Sequence, residues 1–303
     1  MNKLLSIPFC LLLLLTGESC LAVDPSKQVT QYAHAGWRIQ DGFFNGLPTA
    51  IAQTTDGYLW IGTLAGLLRF DGVRFVPWKP TSGKELSSSH ITALLGARDG
   101  SLWIGTDSGL SHLVDGKLIQ YPDRAGGVAS IMQRADGDIW FSYIQPIDSA
   151  WGICKVIGPQ TQCYYAKNNG VPLVEDGSGF LWTGYGATLK RWKPGLSTTY
   201  AQQGLRLVGA TGITYLALAR DGSMWVGMTS SGHGAGLQQF TNGAWKPFIA
   251  QLFDSSTLTL TALLLDRENT LWVGTASQGL YRIRGRRVDH FGSSDGLSSD
   301  SVS

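Results

Sequence analysis

The side chains that could do chemistry are few and scattered. The histidines His34, His90, His112, His233 and His290 fall one to a region, and a lone histidine is more often a hydrogen-bonded structural residue than a ligand. The sequence holds no P-loop, no HExxH, no GxSxG and no CxxC, so phosphate cradling, zinc peptidase, serine hydrolase and dithiol chemistry have no motif behind them. Two loops stand out instead. Ser142 to Gly152 reads SYIQPIDSAWG, where Tyr143, Gln145, Asp148 and Trp151 combine aromatic faces with hydrogen-bonding groups, the mixture that a sugar site needs. Met228 to Gly236 reads MTSSGHGAG and carries His233 among glycines, as an exposed loop would. With Tyr185 these form the candidate ligand-binding set, and the reading assigns no catalytic residue, no metal and no cofactor.

Those loops matter because the chain around them is regular. DGYLWIGTLAGL at Asp56 returns as DGSLWIGTDSGL at Asp99, DGDIWFS at Asp136, DGSGFLWTG at Asp176, DGSMWVG at Asp221 and ENTLWVGTASQGL at Glu268. The anchoring tryptophans Trp60, Trp103, Trp140, Trp182, Trp225 and Trp272 recur every 37 to 47 residues, a period that marks a solenoid or a propeller. In the first copy Thr49 to Thr55, Tyr58 to Thr63, Gly66 to Phe70 and Val73 to Trp78 read as four antiparallel strands. Asp56-Gly57 and Asp71-Gly72 turn between them as a hairpin dipeptide with both residues at positive φ.

The second strand is apolar on both faces, although an antiparallel hairpin ordinarily has one wet face. A blade sandwiched between two others resolves this, because both of its faces are then buried. The residue closing the apolar run is Gly62, Gly105, Gly184, Gly227 or Gly274, with Ser142 in the third copy, which marks a place where another blade presses close. A β-sandwich would leave its outer faces polar and would not hold one motif at a near-constant period. The fold expected is therefore an all-β propeller of four-stranded antiparallel blades with six complete repeats.

Composition agrees. The 303 residues include 39 Gly and 11 Trp, 15% are charged and the formal net charge is +2. The one basic run, Arg282 to Arg287, falls on an expected hairpin, so nucleic acid is not an expected partner. Residues 1–22 differ: Lys3 precedes the apolar stretch Leu4 to Leu15, and Cys20-Leu-Ala22 offers small residues for cleavage. That run is short for a membrane span and fits a secretory signal peptide, which leaves 23–303 as the propeller in the periplasm or medium. Cys154 and Cys163 flank the turn Gly158-Pro159 on paired strands. They are either a disulfide or two small buried apolar residues, and export favours the bridge.

The pattern DGxLWIGTxxGLxR, with joining segments such as DGLSSDSV from Asp295 to Val302, resembles the two-component regulator propeller repeat. The resemblance covers residues 29–303 and implies the periplasmic sensor region of a bacterial histidine kinase or hybrid two-component regulator. This sequence shows no membrane helix and no kinase motif beside it. It therefore implies an exported module that binds a small molecule or oligosaccharide, with a membrane histidine kinase or further blades as partners. The alternative is a propeller enzyme similar to streptogramin lyases or glycan-cleaving enzymes, which would need a His/Glu cluster at the channel mouth.

The two ends match each other. Trp37 precedes Asp41-Gly42 by four residues and Phe291 precedes Asp295-Gly296 by four. The N-terminal segment then reads as a spare outer strand that would complete a seventh blade beginning near Ser301, so the expected ring is an incomplete, shortened seven-bladed one. Closure with six blades, with Gln28 to Trp37 as a fifth strand, is the rival.

Overall fold

The computed structural model describes residues 31, 37, 46–80, 83–121, 126–144, 151–165, 172–205, 212–250 and 253–302, with Trp151 described in its backbone alone. The chain divides into two compact units, Met1–His34 and Ala35–Ser303. Gln31 is the described residue of the first, so the expected signal peptide lies outside the described residues. Everything below concerns the second unit.

Six four-stranded antiparallel sheets follow one another in a ring, each with its strands in sequence order. The blades begin at the inner strands Pro48–Gln53, Ile91–Gly96, Gly127–Gln133, Val174–Glu175, Ile213–Leu218 and Leu260–Leu265. The chain is thus a β-propeller. The second strand answers the puzzle of its double apolarity: every residue of Leu102–Thr106 is buried. Leu102 and Ile104 face the first blade, where they pack in one cluster with Trp60. Trp103 faces the other way, into a cluster with Val128, Ile139 and Cys154 of the third blade. Removing such a Leu or Ile side chain from water stabilises by about 1.5–3 kcal/mol, and the second strands of the interior blades do this on both sides.

The glycine after the apolar run is where the next blade enters. A β-carbon on Gly105 would stand 2.7 Å from Val128 Cγ1, and one on Gly227 would stand 2.5 Å from Leu260 Cδ2. The third copy has Ser142 there, its hydroxyl 3.1 Å from that of Ser130 on the inner strand of the same blade.

The hairpins depart from the expected chemistry in one respect. At Gly57, Gly100, Gly137 and Gly222 the glycine has positive φ but the preceding aspartate does not. Each aspartate keeps an ordinary φ and accepts from the backbone N–H two residues on, as Asp56 does from Tyr58 and Asp99 from Ser101. Both residues are left-handed at the outer turns Asp115-Gly116 and Asn242-Gly243. In the fourth blade the turn glycine is Gly179, two residues later than the DG dipeptide indicates. Asp176 there takes the indole N–H of Trp182 at 2.8 Å.

Cys154 and Cys163 are bonded, across a directly paired position of Trp151–Ile157 and Gln160–Tyr165 with Cα atoms 4.0 Å apart. No seventh blade is present among the described residues.

Candidate functional site

Of the sequence-derived site residues, Tyr143, Tyr185 and His233 are described with their side chains. Tyr143 is not in a loop: Ile139–Ile144 and Trp151–Ile157 pair out to Ile144 and Trp151, which shortens the loop to 145–150. The Tyr143 ring is 3% exposed and packs with Phe141 and Val128 in the core, so it is unavailable to a ligand. Gln145 and Asp148 lie outside the described residues, as does the side chain of Trp151. Tyr185 ends Leu181–Tyr185 and is half-buried. His233 is exposed, in a loop that Gly232 N–H ties to the Ser256 carbonyl at 2.7 Å. The Asp254 carboxyl nearby is held below its ordinary range by hydrogen bonds from the Ser256 backbone and side chain, with the charge of His233 assisting. Among the described residues no group of three or more His, Cys, Asp or Glu side chains converges as a metal site would require.

The structure builds a different site from residues whose types read as core or solvated hairpin. The fifth repeat carries an extra two-stranded element, Ile249–Ala250 paired with Phe253–Asp254, ahead of the 3-10 turn Ser255–Thr257. It stands beside the third and outer strands of the sixth blade, Leu280–Arg284 and Arg287–Phe291. Between them lies a cleft of about 690 Å³ lined by Ala250, Phe253, Tyr281, Arg286, Arg287, Val288 and His290. Tyr281 and His290 are direct cross-strand partners, as are Ile283 and Val288, so Tyr281, His290 and Val288 share the face that looks toward the fifth blade. The Phe253 and Tyr281 rings meet at 5.1 Å, and the Tyr281 and His290 rings at 4.7 Å. Tyr281 and His290 also border a second cleft of about 300 Å³, with Ser277, Gln278, Ser293 and Asp300.

Its electrostatics are cationic with one internal brace. Asp289 binds Arg287 Nε at 2.9 Å and Arg282 Nη2 at 2.9 Å. Burial pushes the Asp289 carboxyl up, but the hydrogen bonds of Arg287 and Arg282 outweigh it and hold the group below the ordinary carboxylate range. Arg286 is exposed, and among the described residues the ion pairs of this hairpin run from Asp289 to Arg282, Arg284 and Arg287 and not to Arg286. Burial raises the Tyr281 phenol, keeping it a neutral hydroxyl. The His290 Nε2 lies 2.8 Å from the Gln278 carbonyl. Apolar ring faces beside guanidinium and hydroxyl groups suit a ring-shaped polar ligand that carries a carboxylate, and the volume is that of a small-molecule site. Sequence reading missed this cleft. Its one local signal was the irregular spacing between the fifth and sixth tryptophans, 47 residues against 43 before it, which holds the extra hairpin.

The fold and its repeats define a propeller of four-stranded blades. The chain carries repeats of the two-component regulator propeller family, whose model matches residues 42–65 and 85–108. Among solved structures it resembles an extracellular domain described as that of the hybrid two-component system BT3049 from B. thetaiotaomicron, with 17% identity over 89% of this chain and a TM-score of 0.64. The corresponding domain of BT4673 from the same organism gives 18% identity over 81% of this chain and a TM-score of 0.61. The chain spans between 36% and 38% of the length of those two. YCF48, solved bound to D1 peptide, gives 16% identity over 83% of each chain and a TM-score of 0.59. At such identities these likenesses establish the fold alone. No curated protein matches the sequence. Among the described residues no helix is long and apolar enough to cross a membrane.

Proposed function

We propose that this chain is an exported, ligand-binding propeller of the sensor type, and that it takes a carboxylate-bearing oligosaccharide into the cleft between the fifth and sixth blades. The observation that carries the reading is the meeting of Phe253, Tyr281, Arg286, Arg287 and His290 around about 690 Å³ of space. A sugar ring stacks its C–H face on Tyr281 or Phe253, and Arg286 supplies the charge-assisted hydrogen bonds that select an acid over a neutral sugar. The family of the repeat and the extracellular domains it resembles support a sensory role with a membrane histidine kinase as partner. The Cys154–Cys163 bond supports residence in an oxidising compartment.

The test is an array of neutral and uronic-acid oligosaccharides, followed by calorimetry on any ligand found. Tyr281→Ala and Arg286→Ala should each weaken binding at least about tenfold, equivalent to roughly 1.4 kcal/mol, while Tyr185→Ala leaves it unchanged. Absence of any acidic ligand, or loss of binding in Tyr185→Ala with Tyr281→Ala intact, contradicts the reading.

A further inference from the structure

One position of the repeat changes character in the fifth blade. The tryptophan of each second strand has a cross-strand partner on the third strand, and in the other five blades that partner is basic: Arg69, His112, Lys155, Arg191 and Arg282. In the fourth and sixth blades a carboxylate answers it, Asp176 at 2.7 Å from Arg191 Nε and Asp289 at 2.9 Å from Arg282 Nη2. Trp225 faces the neutral Gln239 instead. The cation stands one strand further out, at Lys246, which is exposed and is the direct partner of Gln239. Trp225, Gln239 and Lys246 thus form a row across three strands. Trp225 packs in one cluster with Leu271 and Ile283, so the row looks toward the sixth blade.

The row borders a cleft of about 350 Å³. Its floor is apolar: Trp225 and Phe248 meet edge to face at 5.2 Å, beside Leu271 and Ile283. Its rim carries Gln239, Lys246, Asn269 and Arg286. Asp221 also reaches it, with its carboxylate accepting from the Ser223 N–H at 2.9 Å and the Ser223 hydroxyl at 2.7 Å. Two cations against one carboxylate leave the opening positive. The equivalent groove between the fourth and fifth blades, about 340 Å³, holds Asp176 and Arg191, whose charges cancel. A groove at this place is a product of the fold, whereas the positive rim distinguishes this copy from that one. Arg286 lines both this cleft and the one of about 690 Å³, and Ile249 and Ala250, neighbours in one short strand, line one each. The two clefts are compartments of a single groove, divided at that strand and at Arg286.

We infer that the smaller cleft is a second subsite, in which Lys246 takes the carboxylate of a neighbouring sugar unit, so that the groove selects chains with acidic groups on successive units rather than a single terminal acid. This rests on the reading of the larger cleft as an acidic-sugar site and adds a requirement to it. The ligand supplies, at Lys246 and Gln239, the carboxylate that the protein supplies itself beside Arg191 and Arg282. The apolar floor at Trp225 and Phe248 receives the ring's C–H face, and the Gln239 and Asn269 amides meet its hydroxyls, the division of labour usual in a small-molecule site. Arg286, on the wall common to both compartments, lies within reach of both acids and sets their order along the groove.

The experiment is calorimetry of the full chain with the mono-, di- and trisaccharides of galacturonic, glucuronic and mannuronic acid. In at least one series the trisaccharide should bind at least about tenfold more tightly than the monosaccharide, equivalent to roughly 1.4 kcal/mol. Lys246→Met keeps the apolar stem and removes the charge, and should abolish that advantage of length. Lys117→Met, which removes an exposed cation from the outer strand of the second blade, should leave the advantage in place, and Tyr281→Ala should weaken every length alike. A trisaccharide no tighter than the monosaccharide, or an advantage that survives Lys246→Met, would overturn the inference and leave the larger cleft as a site for one acidic unit. Equal losses in Lys246→Met and Lys117→Met would show general attraction of a polyanion and would overturn it as well. Failure of all three series to bind would overturn both the reading of the larger cleft and the inference built on it.

Discussion

Ile91 of the second blade rests in the notch left by Gly62 in the first, so that a β-carbon on Gly62 would stand 2.5 Å from Ile91 Cγ2. This single relation, repeated around the ring, sets the distance between blades. At Gly105 both Cγ1 and Cβ of the buried Val128 crowd the site, at 2.7 and 3.0 Å. Gly105→Ala is expected to cost about 1–3 kcal/mol through overpacking, measured by urea denaturation. An unchanged midpoint would mean that the blades slide apart without cost.

The disulfide closes a loop with a sequence separation of 9 between Cys154 and Cys163. The double variant Cys154→Ala/Cys163→Ala should lose about 2–3 kcal/mol in the chain-entropy account of cross-linking. The loss should match that caused by reducing agent on the wild type, and the double variant should be insensitive to the same reagent.

Asp176 joins a turn to two side chains, accepting from the Trp182 indole at 2.8 Å and from Arg191 Nε at 2.7 Å. Asp176→Ala leaves a buried indole N–H without its acceptor, for an expected cost of about 1–3 kcal/mol. Asp71→Ala, an outer-turn residue that accepts only from the Val73 and Arg74 backbone, should cost less. Thermal unfolding of the two variants makes the comparison.

His112 lies flat on Trp103, with centroids 4.0 Å apart and planes within 8°. Its Nε2 is buried without a hydrogen-bond partner. Desolvation lowers its pKa below the ordinary 6.5, although the charge of Asp99 works to raise it. A histidine depressed in the folded state favours folding above its unfolded pKa, and that contribution is lost as the pH falls through the folded value. Stability should therefore fall as the pH drops from about 7 to 5, and His112→Phe, which preserves the stack, should flatten that limb. An identical acid slope in the variant would show that other groups set it.

The repeat was legible because it is local. Asp-Gly dipeptides, the LWIG run and the tryptophan period all lie within one blade, and the greasy second strand implies neighbours without naming them. Gly62 and its equivalents announced close approach correctly, since a residue without a side chain inside a strand has few other uses. The proposed cleft was not legible. Tyr143 looked like a loop aromatic because the strand end could not be fixed from the sequence, and pairing to Ile144 moves its ring into the core. Phe253, Tyr281 and His290 look like ordinary strand aromatics and a lone histidine. Only the sideways packing of an irregular hairpin on the next blade brings them together. Asp176 misled for a related reason: its DG dipeptide mimics the turn signal, but the register set by Trp182 places the turn at Gly179.

The central claim, that the cleft between the fifth and sixth blades is where a ligand binds, is tested most directly by hydrogen–deuterium exchange of the full chain with and without a saturating acidic oligosaccharide identified on the array. The account predicts slowed exchange in peptides covering Phe253–Asp254 and Tyr281–His290, with the loop at His233 and the strand end at Tyr185 unaffected. Protection confined to the His233 and Tyr185 segments, with none at Tyr281–His290, would contradict it.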